Sequence, residues 1–127
     1  APIGASYLYF VDSRPDSGVF EQYLESHPGS IDLWLGGHTH THPDDTHGGK
    51  SHVETKWGGT HFINAACLSR YHGPENVPKS RLLTFEEGSN KVRVQCYMHS
   101  DEFLPQGWYE RVERTLELTR PFCREKP

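Results

Sequence analysis

Ile31-Asp32-Leu33-Trp34-Leu35-Gly36-Gly37-His38-Thr39-His40 is the stretch that decides how this chain reads. Its first half, Ile31 to Leu35, is short, almost continuously apolar and stopped by two glycines, the pattern of a strand buried inside a sheet. Its second half sets two imidazoles at i and i+2, which project to one side of an extended segment. Gly36 and Gly37 let the backbone turn sharply, so both rings can reach a common point. Neutral imidazole suits Zn, Mn, Fe or Ni. Ligands of α/β sheets sit beyond the carboxyl ends of the strands, and His38 and His40 fall at such an end. A chain of this composition yields only about 0.06 chance occurrences of G-H-x-H.

Upstream, Tyr7 to Val11 (YLYFV) is another unbroken apolar run, read as a buried strand. Val19 to Ser26 places Val19, Phe20, Tyr23 and Leu24 at helical spacing, with Asp16 or Ser17 as cap and His27-Pro28-Gly29 as stop. A helix followed by a buried strand is the rhythm of a parallel α/β sheet. Downstream, Gly36 to Gly49 reads as a long loop rich in Gly, His and Asp. Within and just after it, Asp44, Asp45, His47 and His52 read as exposed polar groups. His42 continues the alternation begun by His38 and His40, which makes it an accessory candidate as well as a solvated side chain.

Thr60 to Leu68 reads as a third strand, with His61 at its start in a structural role. Tyr71 to Lys79 is a loop with two prolines, where His72 is a candidate substrate contact. Arg70 and Lys79 could meet a phosphate, but solvated charge is the preferred reading of both. Arg81 to Glu86 and Lys91 to Tyr97 flank Glu87-Gly88-Ser89-Asn90, which predicts an antiparallel hairpin. The tail predicts a helical turn around Trp108 and then an extended end closed by Pro121. Trp34 reads as core, and Trp108 as core or subunit contact.

The chain has 127 residues, room for one domain, with no repeat or compositional break. Thirteen Lys and Arg against 17 Asp and Glu give a net charge of −4, which excludes nucleic-acid binding driven by phosphate neutralisation. Nine histidines are the anomaly: protonating all of them would move the net charge from −4 to +5. Cys67, Cys96 and Cys123 form no CxxC pair, which points to free thiols and leans toward a reducing, cytoplasmic compartment. No run approaches the ~20 apolar residues of a membrane span. The start, Ala1-Pro2-Ile3-Gly4, lacks the features of a signal peptide.

The stretch from Ile31 to His40 resembles the last signature, G-H-x-H, of the calcineurin-like metallophosphoesterases. The resemblance extends in order of elements from about Tyr7 to Tyr97: a loop after the motif, a strand ending in Asn64-Ala65-Ala66-Cys67, then the hairpin. It implies an α/β fold, a partial sheet layer of the family's sandwich with a C-terminal antiparallel hairpin. It also implies two divalent ions (Mn, Fe or Zn), His38 on one and His40 on the other, and a small phosphate mono- or diester as substrate.

Other family motifs are missing. The sequence contains no G-D-x-x-D and no G-N-H-[DE]. Asp45-Thr46-His47 spells D-x-H, but after the G-H-x-H and in a loop, and His27 lies too close to the strand to serve as the family's lone histidine. The resemblance therefore implies the C-terminal half of such an enzyme, inactive alone and self-associating as a dimer through the sheet surface it leaves uncovered. The competing expectation is a non-catalytic, histidine-rich metal-binding or interaction module.

Overall fold

A computed structural model of the chain describes residues 14–37, 44, 46–47, 50–51, 53–65, 68, 77–100 and 106–125, with backbone alone for 14–17, 46–47 and 50–51. The expected strand Tyr7 to Val11 lies outside these residues. Among the described residues the fold is mixed α/β, mostly strands in two main sheets with one helix.

Helix α1 spans Arg14–Ser26, five residues earlier than the spacing predicts. Pro15 then falls in the first turn, where its missing N–H would have had no partner, and Asp16 falls where the helix dipole favours an acid. The other end is as expected: His27 N–H still bonds to the Tyr23 carbonyl at 2.9 Å, and Gly29 takes φ +79° beyond it. Of the four apolar residues at helical spacing, Leu24 is buried and Phe20 partly so, whereas Val19 and Tyr23 are 68% and 50% exposed.

The first sheet joins β1 (Leu33–Gly36), β4 (Val53–Lys56) and β5 (Thr60–Asn64) in the order β1-β5-β4. β1 and β5 are parallel, with Leu33 opposite His61 and Gly36 opposite Asn64; β4 and β5 are antiparallel. The parallel rhythm expected from the sequence thus holds for one pair. The ribbon β2 (Thr46–His47) with β3 (Lys50–Ser51) interrupts the long loop after β1.

All five residues of β5 are buried, because one face meets the helix and the other meets the second sheet. On the helix side Phe62 packs with Leu24, Phe20, Ile31, Trp34 and Trp57. On the other side Ile63 and Val53 pack with Leu33, Leu83, Val94 and Leu116. Burying each large apolar side chain here contributes about 1.5–3 kcal/mol. β1 is less covered than its composition suggests: Leu35 is 56% exposed, and among the described residues β1 pairs with β5 alone.

The β4–β5 turn, Trp57-Gly58-Gly59, has positive φ throughout. A Cβ on Gly58 would lie 2.2 Å from the backbone oxygen of Leu24, so glycine is what lets this turn sit against the helix. The expected third strand is shorter than read. β5 ends at Asn64, Ala65 N–H closes the ladder on the Gly36 carbonyl at 2.7 Å, and Leu68 is 72% exposed.

The second sheet contains the predicted hairpin, β6 (Lys79–Phe85) and β7 (Lys91–Met98), with Lys79 opposite Met98 and Phe85 opposite Val92. Along β7, Val92, Val94, Cys96 and Met98 alternate inward. The far edge of β7 is shared by β8 (Gly107–Trp108), which pairs at Tyr97–Met98, and β9 (Arg114–Glu117), which pairs at Lys91–Val94. The expected helical turn around Trp108 is displaced: Trp108 is in β8, and a 3-10 turn occupies Glu110–Val112. Tyr109 before that turn and Val112 at its end are buried core with Val77, Cys96 and Met98, while Trp108 is 48% exposed. Cys96 is buried and Cys123 exposed, neither in a disulfide.

Candidate functional site

The candidates His38, His40, His42 and His72 lie outside the described residues, as do Asp45, His52, Arg70 and Cys67. The structure describes the platform from which the G-H-x-H departs. Gly36 is the last residue of β1 and lies opposite Asn64, the last of the parallel strand β5, so two strands finish side by side. The Ala65–Gly36 hydrogen bond fixes the backbone one residue before Gly37.

One cation of the hairpin reaches this end, and a second lies buried on the same strand. Arg81 donates from Nε to the Asn64 carbonyl at 2.7 Å. Lys79, two residues earlier on the same face of β6, is 1% exposed, which corrects its reading as a solvated charge. That face also carries Leu83, which packs against the first sheet. The hairpin alternation therefore contained the signal: once Leu83 is inward, Arg81 and Lys79 are inward too. Burying an ammonium is costly unless its charge and donors are met, so such a lysine marks an organised polar region.

Asp44, read as part of an exposed loop, is held instead. The Tyr109 hydroxyl donates to its Oδ1 at 2.5 Å, and Arg111 Nη1 lies 3.7 Å from the same oxygen. Burial, the hydrogen bond to Asp44 and the charge of Asp44 all raise the Tyr109 pKa above the ordinary 10.0, while Arg111 pulls the other way. This contact ties the histidine-rich loop to the turn after β8, 65 residues on. No local pattern in the sequence foretells it.

His61 is structural, as expected. It is 7% exposed, and its two ring nitrogens sit 2.6 Å from the Thr55 hydroxyl and 2.6 Å from the Glu117 carbonyl. A carbonyl can only accept, so Nε2 carries a proton and donates it to Glu117. Among the described residues no three His, Cys, Asp or Glu side chains converge as a metal-binding group, and no helix is long and apolar enough to cross a membrane. Comparison with protein-family models, with curated proteins and with solved structures finds no match for this chain.

Proposed function

We propose that this chain is the C-terminal part of a metal-dependent phosphoesterase, with His38 and His40 as ligands to a pair of divalent ions. One observation carries the reading. The G-H-x-H leaves directly from a strand that ends in register with its parallel neighbour, the position at which α/β sheets gather ligands. Arg81 adds positive charge at that end, which suits an anionic phosphoester. The donor chemistry fits, since neutral imidazoles bind Mn, Fe and Zn. Such ions would supply an activated water and neutralise phosphoryl oxygens. The chain's own part is to aim the two imidazoles from a fixed strand end and to hold the substrate's negative charge near Arg81.

The test is calorimetric titration of the chain with Mn²⁺ and with Zn²⁺, comparing wild type with His38→Ala and His40→Ala. The reading expects each substitution to weaken binding by tenfold or more. Metal affinity unchanged in both variants would overturn it. Metal binding that depends on both histidines, in a protein whose reading frame carries no D-x-H, G-D-x-x-D or G-N-H-[DE] upstream, would favour the non-catalytic metal-binding module instead.

A further inference from the structure

We propose that the recess beside Trp108 is a binding site for a single neutral sugar ring, independent of the phosphoesterase reading. The recess exists because β8 and β9 share one edge of β7 without meeting. β8 pairs at Tyr97–Met98 and β9 at Lys91–Val94, and in the intervening Gln95–Cys96 segment Tyr109 N–H bonds to the Cys96 carbonyl at 2.9 Å. The 3-10 turn Glu110–Val112 loops over this gap and leaves a cavity of about 220 Å³ lined by Arg93, Gln95, Trp108, Tyr109, Glu110 and Glu113. Larger organic ligands take about 300 Å³ or more, so the recess fits one ring.

Its wall is aromatic and already fixed. Trp108 is 48% exposed, yet Tyr97 holds it edge-to-face at a centroid distance of 5.0 Å. An indole that is half exposed offers ring surface on which the positively polarised C–H bonds of a pyranose pack well.

The polar lining then selects the ligand class. Arg93 donates from Nε and Nη2 to a single oxygen, Oε1 of Glu113, at 3.1 and 2.8 Å. That pair orients the two groups and does not use Nη1 of Arg93 or Oε2 of Glu113. Gln95 adds an amide that both donates and accepts, and Glu110 adds a carboxylate. An organic cation would suit the indole and the carboxylates but would face Arg93. A phosphate would suit Arg93 but would face two carboxylates. Hydroxyl groups both donate and accept, so a neutral polyhydroxylated ring is the one class that every lining group favours.

The experiment titrates the ¹⁵N-labelled chain with the methyl glycosides of glucose, mannose, galactose and N-acetylglucosamine, following the Trp108 indole N–H. Tetramethylammonium chloride and inorganic phosphate serve as comparison ligands. The proposal expects a saturable shift with at least one glycoside, with a Kd in the millimolar range, weakened at least tenfold in Gln95→Ala. Trp108→Ala should abolish saturation transfer to the sugar while amide dispersion shows the chain still folded. Should Trp108→Ala unfold the chain, Gln95→Ala decides alone. The proposal is overturned if no glycoside gives a saturable shift below about 100 mM. It is equally overturned by undiminished binding in a folded variant, or by tighter binding of tetramethylammonium or phosphate.

Discussion

Nε2 of His61 lies 2.6 Å from the carbonyl oxygen of Glu117, so the central strand of the first sheet is hydrogen-bonded to the last strand of the second. The ring is the crossing point of three strands, because its other nitrogen meets Thr55 of β4. A second link runs nearby: Asp32 Oδ1, just before β1, accepts from Thr119 Oγ1 at 2.8 Å and Thr119 N–H at 3.2 Å. The two sheets are therefore joined by directional bonds as well as by the apolar layer of Ile63 and Val94.

His61→Ala removes both ring bonds and opens a void between the sheets. It is expected to lower stability by about 2–4 kcal/mol in urea denaturation with an unchanged m-value. Asp32→Ala acts at a more exposed link, and a cost of about 1 kcal/mol is expected. A loss below about 1 kcal/mol for His61→Ala would mean that the sheets do not depend on this ring.

The adjacent glycines of the β4–β5 turn should respond very differently to one substitution. Both have positive φ, +77° at Gly58 and +88° at Gly59, so alanine costs about 1 kcal/mol at either from backbone strain. At Gly58 the new Cβ also meets the Leu24 backbone oxygen at 2.2 Å, whereas at Gly59 nothing lies within 4 Å. Gly58→Ala is expected to destabilise by roughly 3 kcal/mol or more, because the helix must move off the sheet. Equal melting temperatures for the two variants would contradict the described contact between helix and turn.

The Tyr109–Asp44 contact predicts a stability change at alkaline pH. Burial first, then the hydrogen bond and charge of Asp44, raise the folded-state pKa of Tyr109 above its unfolded value near 10.0. A group raised in this way contributes stability that is complete below the unfolded value and is lost as pH rises through the folded one. Tyr109→Phe should therefore cost about 1–3 kcal/mol at neutral pH, and the gap between variant and wild type should narrow above about pH 10. Asp44→Asn should lower the Tyr109 titration midpoint, measured by phenolate absorbance, without restoring the ordinary value, since burial remains. A midpoint unmoved by Asp44→Asn would remove Asp44 from the account.

What the sequence made legible follows the range of the interactions. The β6–β7 hairpin was readable because alternation and a Gly-containing turn are local, and the strand after α1 because Pro28 and Gly29 separate them. Trp108 was misread because Val112 and Leu116 follow it at helical spacing, a period that the pairing of Trp108 with Tyr97 overrides. Lys79 reads as exposed because it directly follows Pro78 at the end of a loop-like stretch, although the register of the hairpin puts it inward. The Asp44–Tyr109 and His61–Glu117 contacts, 65 and 56 residues apart, leave no local trace. The G-H-x-H at Gly37-His38-Thr39-His40 was legible as a motif, and the structure describes the strand end that carries it; the two histidines themselves lie outside the described residues.

The proposed function makes a last prediction about chemistry. The sequence offers the two histidines of the G-H-x-H but no G-D-x-x-D and no G-N-H-[DE]. One imidazole on each ion of a pair leaves most of its coordination open, and a catalytic zinc takes three protein ligands. The 127-residue chain is therefore expected to bind Mn²⁺ or Zn²⁺ weakly and to show no turnover of an aryl phosphate mono- or diester above the metal-only background. Adding Arg81→Ala separates charge from ligation: metal affinity should hold, while competition by inorganic phosphate for the metal-loaded chain should weaken by severalfold. Robust turnover by this chain, abolished in His38→Ala, would refute the argument from missing ligands. A phosphate effect identical in wild type and Arg81→Ala would take the guanidinium out of the substrate's reach.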